Sequence, residues 1–507
     1  MSDRRGRKAI LALAAGGGLA LAMPGLGLAP FAFVALVPLF LALERGGGFL
    51  AGFLSFAALL AVDLRWLLTL TRFSPWIAPA YVLVVAYLAL FGGVFGLLTG
   101  RVRRGTRFDA SLLLVAPVLF TLLEILRAQG PLGLGFSSLY STLYRFPPLI
   151  QLAALAGPWA ITAAIVAVNA AVYLALRRRR AYAVVAVGLI GLLALLSALP
   201  IPKGGAPVKV GIVSSEVPQE VKMEGESPDE LLARYVSAGR EAATEGPDLI
   251  VFPESILPEY ILRETRYLRP FAELARESGA ALLIGTGDLR EGELYNSVVL
   301  LSPTGEPVGV YDMARPVPFG QVIPGRRLFE AIGLAPLVDP FVPVDVTLGR
   351  SFAPLGGLGT PICFESTFPA AARAFSRNGA DLLVTVTNDA WFAGASELRA
   401  HFALSVFRAV ENRRFFVQVA NGGVSGVVDP RGRILLERTG AGTWIATVDR
   451  RSDRSPYSAL GELPLFLAFA AAGAAFLVAR IKGRPRAPAG PSGGRDPLAP
   501  SSGGSAL

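Results

Sequence analysis

Eight apolar stretches decide what this chain can fold into: residues 9–23, 26–43, 48–70, 78–99, 109–126, 149–176, 181–199 and 459–479. A hydrocarbon layer about 30 Å thick is crossed by about 20 helical residues, so most of these stretches are long enough to span it. Seven precede a block of mixed polarity and one follows it. That order predicts membrane helices, a globular domain and a last membrane helix. The first stretch is short, contains Gly16, Gly17 and Gly18, and is followed by Pro24. Basic residues before a short apolar run also describe a signal peptide. The second stretch follows almost at once, with no polar mature region between, which favours a retained helix.

The net charge of +10 sits where membrane topology would put it. Arg4, Arg5, Arg7 and Lys8 precede the first stretch, Arg101, Arg103, Arg104 and Arg107 follow the fourth, and Arg177 to Arg180 follow the sixth. Arg480, Lys482, Arg484 and Arg486 follow the last. Basic clusters at the ends of apolar segments mark the cytoplasmic side, and no aromatic residues interleave with them as nucleic-acid binding would require. With about eight spans, both termini fall inside and the globular block outside. The expected division is 1–205 for seven spans, 206–455 for the extracytoplasmic domain, 456–482 for the last span and 483–507 for a disordered cytoplasmic tail rich in Gly, Pro, Ser and Arg. The chain has one cysteine, Cys363, and therefore no internal disulfide.

Within the block, runs rich in β-branched residues read as strands: Val208–Ser214, Leu249–Pro253, Ala281–Gly285, Ser297–Leu301, Leu382–Thr387, Phe415–Ala420 and Ile445–Val448. Between them, Pro228–Thr244, Pro270–Ser278, Pro369–Asn378 and Glu397–Glu411 have helical spacing, three starting at or beside proline. The alternation predicts an α/β layered domain with ligand chemistry at the strand ends. The stretch 326–358 is rich in Gly and Pro yet carries Phe329, Ile332, Leu334, Leu337, Phe341, Val342, Phe352 and Leu355. So apolar a loop is either folded onto its own domain or a lid that touches the membrane.

Three strand ends carry candidate chemistry. Leu249-Ile-Val-Phe-Pro-Glu254-Ser255 ends in a carboxylate, Gly359-Thr-Pro-Ile-Cys363-Phe364-Glu365-Ser366 in a thiol before a helix, and Val384-Thr-Val-Thr-Asn388-Asp389-Ala-Trp391-Phe392 in polar residues. A carboxylate and a cysteine on adjacent strand ends are the parts of a base–nucleophile pair. A cysteine near a helix N-terminus also has reason to ionise early. The competing reading is of unrelated core and surface residues.

The runs F-P-E-S, P-I-C-F-E and N-D-A-W-F, in that order, resemble the signature positions of the nitrilase (carbon–nitrogen hydrolase) superfamily. With the flanking apolar spans, the chain resembles the apolipoprotein N-acyltransferases. The run Val310-Tyr-Asp-Met-Ala-Arg-Pro-Val-Pro-Phe-Gly-Gln-Val-Ile-Pro324 is similar to that family's Y-x-K-x-x-L-V-P-F-G-E-Y-V-P loop. His401, the run Arg408–Asn412 and the run Asn421–Gly426 continue the likeness. The resemblance implies an αββα sandwich and acyl transfer from a phospholipid to the amino group of an apolipoprotein's lipid-modified cysteine. It implies a thioester intermediate and a Glu-Lys-Cys triad. Cys363 would be the nucleophile and Glu254 its base, with Phe364, Glu365 and Asn388 supporting the site. A monomer without cofactor or metal is expected, its partners being the phospholipid, the apolipoprotein and the membrane.

The sequence departs from that pattern at two places. Met313 stands at the family's lysine and Gln321 at its glutamate after P-F-G. Losing one oxyanion donor typically costs about 2.7–4 kcal/mol. Arg315, two residues on, would face the same way as Met313 in an extended segment and could replace the charge, or it is a solvated loop arginine. Three readings follow: an active N-acyltransferase with a modified site, a membrane paralogue that binds lipoprotein or lipid without turnover, and a membrane-tethered amidase.

Overall fold

A computed structural model describes residues 2–482, apart from 106–107, 202–203, 223–226, 335, 337–338, 340–341 and 393. The expected tail, 483–507, and the loop residues Leu337 and Phe341 lie outside the described residues.

Among the described residues, three helices are long and apolar enough to cross a membrane: Ile77–Arg101, Trp159–Arg177 and Ala181–Ala198. The pair Phe49–Asp63 and Arg65–Arg72, bent by 47°, makes a fourth if counted as one span. Ser2–Ala22 has 21 residues and Phe108–Arg127 has 20, with Pro117 inside the latter. The stretch 26–43 is not one continuous helix. There Pro30 opens a short 3-10 turn, Ala29–Phe33, and Pro38 opens an eight-residue helix, Val37–Glu44. Together the two pieces make a shorter apolar helix, Ala29–Glu44. The backbone groups freed by the break are met by one buried side chain: Asn169 Nδ2 donates to the Ala32 carbonyl (2.7 Å) and its Oδ1 accepts from the Leu36 N–H (2.8 Å). An irregular segment in an apolar setting survives only when its polar groups are satisfied in this way. The stretch 149–176 is also interrupted, at Gly157 and Pro158.

The globular block contains eleven described strands: β1 (Pro207–Ser214), β2 (Leu249–Val251), β3 (Ala281–Arg290), β4 (Glu293–Leu301), β5 (Pro307–Asp312), β6 (Leu358–Gly359), β7 (Leu382–Asn388), β8 (Phe416–Asn421), β9 (Val424–Val428), β10 (Ile434–Thr439) and β11 (Gly442–Asp449). They form two sheets, ordered β11-β1-β2-β3-β4-β5 and β10-β9-β8-β7-β6. β1, β2 and β3 run parallel, as do β6, β7 and β8. The sheets meet face to face where Ser214 Oγ reaches the Ala420 carbonyl (3.2 Å) and Ser425 Oγ (3.0 Å). Helices Pro228–Ala243 and Thr265–Ser278 cover the first sheet, and Pro369–Arg377 and Glu397–Asn412 the second. This is the expected αββα sandwich. Ser227 and Glu230 close a capping box on the first of these helices. Pro270 lies inside its helix and not at its start, because Thr265–Arg269 forms an additional turn ahead of it.

The stretch 326–358 divides into two parts. Phe352 meets Phe375 edge to face (5.5 Å between centroids) and lies near Tyr311, and Leu355 is buried, so this end is core and not lid. Phe329 packs on buried Ile323 and Val342, while Leu328, Ile332, Leu334, Val344 and Leu348 are exposed.

The sandwich sits directly on the membrane helices. Trp66 meets Phe392 (4.8 Å), Phe136 meets Phe364 (6.3 Å) and Tyr140 meets Phe407 (4.8 Å). Arg72 Nη2 donates to the carbonyls of Ala390 (3.0 Å) and Trp391 (3.1 Å). Glu124 accepts from the Leu139 N–H and Thr162 Oγ1, both at 2.6 Å, and Asp63 Oδ2 accepts from Ser137 Oγ at 2.6 Å. These buried carboxylates fix the segment 135–143. Gly135 lets that segment approach the sandwich, since a Cβ there would lie 2.6 Å from Thr367 Oγ1.

Candidate active site

β2 delivers Glu254 and β7 delivers Asn388, each at or just past a strand end, so the two sheets present polar residues toward one another. Gly285 on β3 makes room for the first: a Cβ there would lie 2.5 Å from Glu254 Cα. Cys363 follows the bridge of Ile362 to Val386 and opens a five-residue 3-10 turn, Cys363–Thr367. Its φ is +47°, and Ser255, next to Glu254, has φ +45°. Two non-glycine residues in the left-handed region at facing strand ends represent strain held by the surrounding fold.

Glu254 is buried and fully engaged. Oε1 accepts from Asn296 Nδ2 (2.7 Å) and Oε2 accepts from the Asn388 N–H (2.8 Å), with the Cys363 thiol close enough to act on the carboxyl. Cys363 is partly buried, and its Sγ lies 3.2 Å from Thr387 Oγ1. Burial pushes both groups up, Glu254 above the usual carboxylate range and the thiol well above its ordinary value; the neighbouring Glu254 and Asp389 carboxylates push the thiol further. Early ionisation of the thiol is therefore not what this site provides. A five-residue 3-10 turn offers little dipole, and two carboxylates oppose the thiolate. The arrangement favours a neutral thiol that gives up its proton as it reacts, with Glu254 as acceptor.

Met313 is fully buried just beyond β5, its Sδ 3.9 Å from the Asn296 Nδ2 that holds Glu254. Cys363, Glu254 and the family's lysine position thus converge on one locus. Arg315 does not join them. β5 ends at Asp312, so the extended geometry that would align residues 313 and 315 is absent. Its guanidinium instead donates to the Ala128 carbonyl (2.7 Å) and lies 3.5 Å from the Phe368 ring centroid. Gln321 closes its own loop by accepting from the Val317 N–H (2.9 Å).

Glu365 is a brace between the Met313 segment and the cysteine turn. Its Oε2 accepts from Tyr311 OH (2.8 Å) and the Ile362 N–H (3.1 Å), and Oε1 from the Ala314 N–H (3.0 Å). Burial raises its carboxyl to about 7 against these hydrogen bonds. Phe364, buried, meets Phe368 edge to face (5.0 Å) and stacks on Phe136 from the membrane part. Asn388 also ties two other segments, donating to Gln219 Oε1 (2.9 Å) and accepting from Asn421 Nδ2 (2.8 Å).

Two residues that no sequence motif places here, Asn296 and Lys222, complete the surroundings together with Thr387 and Asp389 of the third strand end. His401, noted only as part of the resemblance, lies behind the cysteine. Its Nδ1 is 3.1 Å from Asp389 Oδ1, and its Nε2 is 3.1 Å from the Cys363 carbonyl and 2.9 Å from Ser366 Oγ. Among the described residues, Asp389, Glu397 and His401 bring three potential metal-ligand atoms within 4.8 Å of one another. Both imidazole nitrogens are already hydrogen-bonded, so the group acts as a charge network bracing the strained cysteine.

That network carries a pH prediction. Burial alone would push the imidazole down, but the Asp389 charge and hydrogen bond, with Glu397, carry it up to about 9. A raised folded-state pKa gives stability that is complete below the unfolded value of about 6.5 and is lost as pH rises through the folded one. The apparent Tm is expected to fall by about 5 °C more between pH 6.5 and 9.5 than that of His401→Gln. Parallel curves for the two proteins would refute a charged imidazole here.

Residues 219–455 match the Carbon-nitrogen hydrolase family, and residues 15–171 match the Apolipoprotein N-acyltransferase N-terminal domain. The apolipoprotein N-acyltransferase of Geobacter metallireducens is 36% identical over 458 residues, covering 84% of this chain and 86% of its own. That of Thermotoga maritima is 31% identical over 458 residues, covering 86% of each. Among solved structures, a Nesterenkonia AN1 amidase from the nitrilase superfamily aligns with a TM-score of 0.40 and 19% identity, covering 53% of this chain and 98% of its own. Matches on both the membrane and the globular part, at this identity over most of the chain, have one meaning: the chain belongs to the apolipoprotein N-acyltransferase family.

Proposed function

We propose that this protein transfers a fatty acyl chain from membrane phospholipid to the N-terminal amino group of the diacylglyceryl-cysteine of apolipoproteins, through a thioester on Cys363. The observation that carries this is the convergence of Cys363 and buried Glu254 on the end of β7, where Asn388 N–H holds the carboxylate and the preceding Thr387 touches the sulfur, with Phe364 of the cysteine turn stacked on Phe136 of the membrane part. A nucleophile so close to membrane helices suits lipid substrates. In the first half-reaction Cys363 Sγ attacks the ester carbonyl while its proton passes to Glu254. The ester C–O bond then breaks and Glu254 returns the proton to the departing lysophospholipid oxygen. In the second half-reaction the amine attacks the thioester, its proton is relayed by Glu254 to the sulfur, and the C–S bond breaks to leave an amide.

The test is to incubate purified protein in vesicles with acyl-labelled phospholipid. A hydroxylamine-sensitive labelled adduct is expected, which a diacylglyceryl-cysteine peptide discharges as its N-acyl product. No adduct and no product would favour the paralogue that binds without turnover.

In this reading the protein is a monomer of the cytoplasmic membrane. Residues 206–455 lie outside the cytoplasm between the helices of 1–205 and the helix of 456–482, and the tail from 483 lies inside. The basic clusters support that orientation. A reporter active only outside the cytoplasm should work when inserted in 206–455; activity there of a reporter that works only in the cytoplasm would overturn the topology.

A further inference from the structure

Lys222 is the only buried lysine among the described residues, with 6% of its surface exposed. Taking an ammonium out of water costs several kcal/mol unless an opposite charge and hydrogen bonds compensate. Its Nζ donates to the carbonyl of Ser255 (3.1 Å), the left-handed residue that follows Glu254. One turn earlier, Gln219 accepts from the Asn388 side chain, and the N–H of Asn388 donates to Glu254 Oε2. The segment 219–222 therefore reaches the surroundings of Glu254 at two points. From the Asn296 side, Met313 brings sulfur and no charge. Arg315 is committed to Ala128 and Phe368. We infer that Lys222 supplies the positive charge that this site lacks at Met313, acting as a positioning residue that keeps Glu254 ready to accept the Cys363 proton.

The electrostatics agree with the geometry. Burial pulls Lys222 down to about 8, and the charge of Glu254 opposes that fall, so the ammonium persists at neutral pH. Glu254 is the charge that acts on this ammonium, and a cation beside a carboxylate favours its charged form. The route differs from a lysine at residue 313, because this ammonium approaches through the Ser255 carbonyl and not past Asn296.

The inference rests on the acyltransferase reading for its purpose, but its test does not need that reaction. Cys363 is the only thiol, so the pH dependence of iodoacetamide alkylation of the full-length protein reports its activation directly. In Lys222→Met the profile is expected to move up by about one pH unit, with alkylation at pH 7.5 slowed about tenfold. Lys222→Met/Met313→Lys, which relocates the charge, should recover at least half of that shift, and should recover folding if the single variant is unstable. A folded Lys222→Met with an unmoved profile overturns the inference, as does a double variant no better than the single one. An absent acyl adduct in the unchanged protein would count against the acyltransferase reading and leave these alkylation outcomes decisive for Lys222.

Discussion

Cys363→Ala is expected to eliminate the acyl adduct entirely while leaving the protein folded in the membrane. The loss should be complete because no other thiol exists in the chain and the neighbouring hydroxyl, Thr387 Oγ1, is already held 2.6 Å from Asp389 Oδ1. That same bond explains why the fold should survive. Thr387 has one hydroxyl proton, and Asp389 is a better acceptor than sulfur, so removing Sγ strands no buried donor. The left-handed backbone at residue 363 is equally strained with alanine. The apparent Tm should therefore stay within about 3 °C, since a change near 1 kcal/mol moves it about 2–4 °C. Mass spectrometry of the variant after incubation with acyl-labelled phospholipid checks this. An adduct that persists would move the acyl chain to another residue and dismantle the proposed thioester.

The sequence made Glu254, Cys363 and Asn388 legible because each follows a run that reads as a buried strand, and a polar residue in that position has few structural uses. The αββα layering was legible for the same reason: strand runs and helix runs alternate cleanly. The rest of the site comes from tertiary packing. Asn296 lies within β4, a strand run like any other. Lys222 follows Val221 in a segment with no periodicity to report that its side chain is buried. His401 is one position on a helix buried almost all round, so its direction could not be read. In the membrane part, composition alone made 26–43 a span, whereas Pro30 and Pro38 break it and Asn169, more than 130 residues away, repairs the break. Whether Arg315 could stand in for the charge at Met313 depends on local geometry. Residues i and i+2 share a face only while the strand continues, and β5 stops at Asp312.

Glu254→Gln is expected to lower the acylation rate at pH 7 by about 10³-fold, within the range that one positioned general base supplies. The substitution exchanges one acceptor oxygen for an amide NH2, and the site can absorb that exchange. Asn388 still donates its N–H to the remaining oxygen. Asn296 now presents Nδ2 to Glu254, and its own Oδ1 is buried without a partner. Rotating the Asn296 amide would turn that oxygen toward the new NH2 and satisfy both groups. The variant should therefore fold and insert normally, which separates a chemical loss from a structural one. Its residual activity should also rise with pH without the plateau that titration of Glu254 gives, because hydroxide or solvent must then remove the thiol proton. If Glu254→Gln keeps its rate within tenfold, another group takes the proton. Asp389 is the nearest candidate, since its charge already acts on Cys363 and its Oδ1 accepts from the same Thr387 hydroxyl that touches the sulfur. In that case Glu254 would serve only to hold Asn296 and Asn388 in place, a role the amide of Glu254→Gln keeps, and Glu254→Ala would cost stability more than rate.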